Sequence, residues 1–113
     1  MANKYIIGVA LLLLTASCGR QWQAKTAVKV FMDTKLQRDV SYLSFSKVDS
    51  TRVIGDSLIT ALRDRGGRRL NYRERTGKTL LHIRARYVLD GDTMSSTFYM
   101  NRDADGIVAF KDN

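Results

Sequence analysis

The chain has no proline, and among its 113 residues it has only one cysteine, one histidine and one tryptophan. Each shortage excludes something. A single thiol closes no disulfide within the chain and supplies no cysteine-based metal site. With His82 as the sole histidine, a catalytic triad would need an orienting carboxylate and a nucleophile beside it. Asp92, Ser95 and Ser96 are at hand, but serines in a strand are ordinary. The absence of proline suits uninterrupted helices and strand pairing. No apolar run approaches the roughly 20 residues of a membrane-spanning helix. The longest, from Tyr5 to Leu14, soon meets Thr15, Ser17 and Arg20.

That short run has a definite context. Lys4 precedes it, small residues follow, and the only cysteine comes next, which is the order of a secretory signal peptide. Leu14-Thr15-Ala16-Ser17-Cys18 resembles the lipobox of bacterial lipoproteins, with Thr15 where leucine is common. The resemblance implies that the Cys18 thiol receives a diacylglyceryl group, that the peptide is cut before it, and that the new amine is acylated. Two or more acyl chains hold a protein on a membrane where one is marginal. The expected organisation is a signal peptide over 1–17, a lipidated tether over 18–22 and a single small domain over 23–113. Gly19 is not the aspartate that retains some lipoproteins at the inner membrane, and no acidic run follows Cys18. These features predict a cell-envelope protein anchored in the outer membrane and facing the periplasm.

Apolar spacing predicts the domain's elements. Ala24, Ala27, Val28, Phe31, Met32 and Leu36 recur at three and four residues, with Lys25, Lys29, Asp33 and Lys35 opposite, giving an amphipathic helix over Gln23–Leu36. Val40–Val48 alternates, which predicts a half-buried strand with Leu43 and Phe45 inward and Tyr42, Ser44 and Ser46 outward; Asp49-Ser50-Thr51 marks its end. Gly55-Asp56-Ser57 offers a helix start with Asp56 or Ser57 as N-cap, followed by Leu58, Ile59 and Leu62, and Gly66-Gly67 stops it. Arg68–Arg75 suggests an edge strand. Lys78–Asp90 is the clearest strand, with Leu81, Ile83, Ala85, Tyr87 and Leu89 alternating against His82, Arg84, Arg86 and Val88. Asp90-Gly91 makes a hairpin turn, Thr93–Met100 returns, and Ile107–Phe110 closes the sheet after a turn over Asn101–Gly106.

This order predicts an α+β domain: one N-terminal amphipathic helix on a curved antiparallel sheet of about four strands, with a short second helix. Val30-Phe31 with Leu36, Ser41-Tyr42, Phe45-Ser46, His82-x-Arg84-Ala85-Arg86-Tyr87, Phe98-Tyr99-Met100-Asn101 and Asp105-Gly106-Ile107-Val108 are similar to motifs of small lipoproteins of Bacteroides-type bacteria. The element order resembles cystatin-like and nuclear-transport-factor-like domains. Such folds host many unrelated roles, so the resemblance implies fold more than function.

Three constellations are candidates for chemistry. Formal charge is +8, and Arg63, Arg65, Arg68, Arg69, Arg73, Arg75 and Lys78 crowd one segment. The simple reading is a solvated connection; the sharper one is contact with anionic lipid or another anionic partner. Export argues against nucleic acid. Asn101, Asp103, Asp105 and Asp112 fall at the first, third, fifth and twelfth positions of a calcium loop, with Gly106 at the sixth. Flanking strands favour a plain turn instead, so no metal and no cofactor is expected. Tyr72, Tyr87 and Tyr99 could line a ligand face on the sheet. The sequence thus points to a non-enzymatic binding module on a lipid anchor, taking a protein or small-molecule ligand. The alternative is an accessory subunit of an envelope complex, making its contact through Arg63–Lys78.

Overall fold

A computed structural model describes residues 19–113; the signal peptide and Cys18 lie outside the described residues. Helix α1 occupies residues 19–30 and passes into a π-helical turn, Phe31–Lys35. The described part of the expected tether, 19–22, is therefore already helical. Strand β1 is Ser41–Phe45, β2 Asp49–Thr51, β3 Leu80–Leu89, β4 Asp92–Met100 and β5 Ile107–Asp112, with helix α2, Asp56–Gly66, between β2 and β3. The sheet has five strands, all antiparallel in their pairings, in the order β1-β3-β4-β5, and β2 also pairs with β3. It is an open α+β sheet, one strand larger than the sequence suggests, because Asp49–Thr51 pairs with Leu80–His82 rather than ending a strand.

Period-two alternation in β3 and β4 creates two apolar faces. Leu81, Ile83, Ala85 and Tyr87 of β3, with Phe98 and Met100 of β4, pack under Ala24, Val28, Phe31 and Met32 of α1. Leu80 and Tyr99 point the other way and meet Ile59 and Leu62 of α2 with Val108 and Ala109 of β5. The helices thus cover opposite faces of one sheet, which only the strand alternation could arrange. Phe31 knits the larger core: its ring lies 5.4 Å from Phe110 and 6.2 Å from Phe98, both edge-on, while Phe98 and Phe110 stack at 5.8 Å. The π-turn, closed by Leu36 N–H donating to the Phe31 carbonyl at 3.1 Å, sets the adjacent Phe31 and Met32 both in the core.

Local geometry explains the departures from the sequence reading. A bulge between Tyr42 and Ser44 breaks the alternation of β1. Tyr42 and Phe45 consequently share the inner side, stacked at 5.3 Å, and Leu43 is left 54 % exposed. Gly55, not Asp56 or Ser57, is the N-cap of α2, with no side-chain cap bond. Arg68–Arg75 forms no strand; it is held by side chains and by Arg73 N–H donating to the Ile107 carbonyl at 2.9 Å. The β3–β4 turn is as expected: Asp90 and Gly91, at φ 51° and 84°, make the left-handed pair that a two-residue hairpin prefers.

A polar network closes the inner face at its far end. Ser96, fully buried, donates to the Asp112 carboxylate at 2.6 Å and shares a 2.6 Å bond with the Tyr87 hydroxyl. Arg38 donates to both Asp112 oxygens, at 3.2 and 3.1 Å, and to the Tyr87 oxygen at 3.1 Å. Burial pushes the Asp112 carboxyl up, but the bonds from Arg38 and Ser96 and the Arg38 charge outweigh it, holding it below the usual carboxylate range. Arg38 is raised chiefly by the same Asp112 bond.

Two stability predictions follow from this packing. A β-carbon on Gly66 would overlap the Phe110 ring and sit 3.0 Å from the Tyr72 oxygen, so Gly66→Ala should cost about 1–3 kcal/mol in urea unfolding. Because Asp112 is depressed in the folded state, its contribution is complete above its unfolded pKa of about 3.9 and lost as pH falls through the lower folded value. Its side chain is 40 % exposed, so Asp112→Asn should cost only about 1–2 kcal/mol at pH 7. That gap should narrow in melts taken below pH ~3.9.

Candidate functional site

The Trp22, Thr26, Val30 and Thr34 positions recur every four residues along α1 and its π-turn, on the flank away from Lys25 and Lys29. Trp22 is 67 % exposed and Val30 54 % exposed. Facing them are Asn71–Glu74 and the β4–β5 connection at Asp103–Ile107, and between the walls runs an open groove of about 730 Å³. Its floor is Ala27, Phe31 and Tyr72, whose rings lie 5.8 Å apart; Lys35, Arg73, Glu74, Asp103 and Asp105 supply a rim of both signs.

The wall opposite α1 is irregular chain; Asn101 and Arg63 hold it, and Arg75 ties down the chain that follows it. Asn101, nearly buried, accepts from Thr76 N–H at 2.9 Å and donates to the Glu74 carbonyl at 2.8 Å. Arg63 of α2 donates to the carbonyls of Val108 and Arg73, at 2.8 and 2.9 Å, and its guanidinium lies 5.3 Å from the centre of the Tyr72 ring. Arg75 donates to the carbonyls of Gly77, Ile54 and Lys78, at 2.7, 2.5 and 2.8 Å. Carbonyl oxygens of irregular chain need donors, and these arginines provide them.

This divides the basic segment. Arg63 and Arg75 are turned inward, Arg73 reaches Asp105 at 3.7 Å, and Arg68 pairs with Asp64 at 3.1 Å. Arg65, Arg69 and Lys78 stand exposed. Arg63, Arg75 and Lys78 nevertheless line one open pocket together with Arg52, beside Asp56 and Glu74.

The calcium spacing is likewise dispersed. Asn101 is committed to the groove wall, Asp105 faces Arg73, and β5 carries Asp112 to the Arg38 network at the other end of the strand. Among the described residues no group of three or more acidic, histidine or cysteine side chains converges. The three tyrosines separate too. Tyr87 is buried under α1, Tyr99 under α2, and only Tyr72 lines the groove. His82 sits in register with Asp49 and 6.3 Å from the Tyr99 ring.

Sequence spacing alone missed the groove wall and the Arg38–Ser96–Asp112–Tyr87 network. The exposed helical stripe beginning at Trp22 was the available signal for the groove; nothing local pairs Arg38 with Asp112. Comparison with protein-family models, curated proteins and solved structures finds no match.

The Tyr72 hydroxyl is buried without a hydrogen-bond partner, and burial, opposed by Arg63, raises its pKa. An orphaned hydroxyl costs free energy that a phenyl ring does not. Tyr72→Phe should therefore leave stability unchanged or raise it by up to about 1 kcal/mol in chemical denaturation; a loss greater than this would mean the hydroxyl is satisfied in solution.

Proposed function

We propose that this chain is a lipid-anchored cell-envelope protein whose domain is a non-catalytic binding module, with the groove beside α1 as its ligand site. One observation carries the reading: a large aromatic side chain, Trp22, is left 67 % exposed at the mouth of an apolar-floored groove. Exposed aromatics beside a concavity are a mark of binding surfaces, since their burial waits for the partner. The ligand chemistry that fits is amphipathic. An apolar or ring portion would lie on Trp22, Val30 and Phe31, and polar groups would meet Arg73 on one rim and Asp103 on the other. The anchor rests on the lipobox-like residues ending at Cys18, and the outer-membrane location on the sequence that follows them.

The non-catalytic reading rests on what the polar groups do. Ser96 has the company of a carboxylate, but it is sealed from solvent and its bonds go to Asp112 and Tyr87. His82 lies on the other face from that serine, since β3 and β4 alternate in register.

Native mass spectrometry of the full chain extracted from its own membranes tests both parts. Cys18→Ala should abolish the mass of the acyl groups and incorporation of labelled fatty acid; retained label would overturn the anchor. A small-molecule adduct should accompany the wild-type chain and disappear when Thr26→Trp fills the groove. A stoichiometric protein partner that survives Thr26→Trp would favour the accessory-subunit reading instead.

A further inference from the structure

The anchor and the domain leave little room between them. Gln21 is already packed: its side chain donates to the Ser46 carbonyl at 2.9 Å and accepts from Val48 N–H at 2.8 Å. Three residues span at most about 11 Å, so the point where Cys18 would be lipidated is held close to the 46–48 connection. That connection lies on the β1 side of the sheet, where Ser46 Oγ accepts from Arg84 N–H at 2.8 Å. A lipid anchor placed there cannot leave the domain free to tumble well above the bilayer.

Three lysines border this point. Lys25 and Lys29 follow Gln21 at four-residue intervals, on the flank of α1 opposite the groove. Their ammonium groups lie 5.5 Å from the Phe45 ring and 5.6 Å from the Tyr42 ring, so the stems cover the aromatic pair and the heads remain at the edge. Lys47 is exposed in the connection itself. Among the described residues none of these lysines has an ion-pair partner. The carboxylates of this edge are Asp33 and Asp39, which line one open pocket with Lys29 and Arg38, and Asp49, which begins β2; the exposed Arg84 and Arg86 of β3 add two cations beside β1. The bulge in β1 adds an exposed apolar side chain, Leu43.

We propose that the open β1 edge is the face this protein lays on an anionic lipid surface, with Leu43 at the acyl boundary and Lys25, Lys29 and Lys47 among the headgroups. This rests on the anchor reading above. Juxtamembrane lysines are attracted to anionic headgroups over about a Debye length, and laying the β1 edge along the bilayer brings them within it. The same orientation turns the groove, on the other flank of α1, away from the bilayer and leaves it open to a ligand. It also assigns the lipid contact to the β1 edge rather than to Arg63–Lys78, whose inward arginines are already bonded.

The test uses the full lipidated chain in vesicles of phosphatidylcholine mixed with the anionic lipid phosphatidylglycerol, with a brominated phosphatidylcholine as quencher. Trp22→Phe removes the native fluorophore, and Leu43→Trp or Val53→Trp introduces one at a time; Val53 is 85 % exposed on the connection before α2. Intact mass first establishes that the acyl groups are present, and their absence would defeat the anchor reading itself. With the lipid present, fluorescence at position 43 should be quenched at least threefold more than at position 53. Lys25→Gln, Lys29→Gln and Lys47→Gln together should at least halve that ratio. Equal quenching at the two positions, or a ratio unmoved by the three substitutions, overturns the orientation. Position 43 shielded from both bromolipid and soluble acrylamide would also overturn it, since a protein strand would then cover β1.

Discussion

The contact of Phe31 with Phe98 and Phe110 is the joint on which this domain depends. It brings together a helix, the central hairpin and the last strand, and the same Phe31 ring forms the floor of the groove against Tyr72. Aromatic rings bury much apolar area and prefer offset or edge-on geometry, so the cluster sets both the depth and the angle at which α1 lies on the sheet. With one cysteine no disulfide can take over this task. The apolar contacts, the Arg38–Asp112 network and the arginine-held loop must do it together.

The inward arginines show how a basic chain can spend its cations on structure. The connection from α2 to β3 has no ladder to satisfy its carbonyls. Arg63 and Arg75 reach into it with planar, multi-donor groups that a lysine could not replace. The resulting wall gives the groove its shape. At the β1 edge Lys25 and Lys29 have no ion-pair partner among the described residues, and their flexible stems lie on Tyr42 and Phe45 while the charge stays in water.

Much of the scaffold was legible in local pattern. The amphipathic helix, the long alternating strand at Leu80–Leu89 and its Asp90-Gly91 turn follow from spacing and left-handed turn preference alone. The site was less legible. Trp22, Thr26 and Val30 are visible as a stripe, but their facing wall comes from residues some fifty and eighty positions later. The β1 bulge reversed Leu43 because one extra residue changes which side chains face the core. No composition or spacing announces such a bulge.

By itself, the sequence determined the periodicities, and with them the α+β class, the inner face of β3 and β4, and the expectation of a lipid anchor at Cys18. These depend on neighbours in the chain. Only the tertiary structure decided that α2 lies on the face opposite α1, that Arg63 and Arg75 point inward, and that Asp112 belongs with Arg38 rather than with Asn101, Asp103 and Asp105. Each of those choices is a competition among distant groups for buried area or for a hydrogen-bond partner. Such a competition has an outcome only once the chain has brought the rivals together.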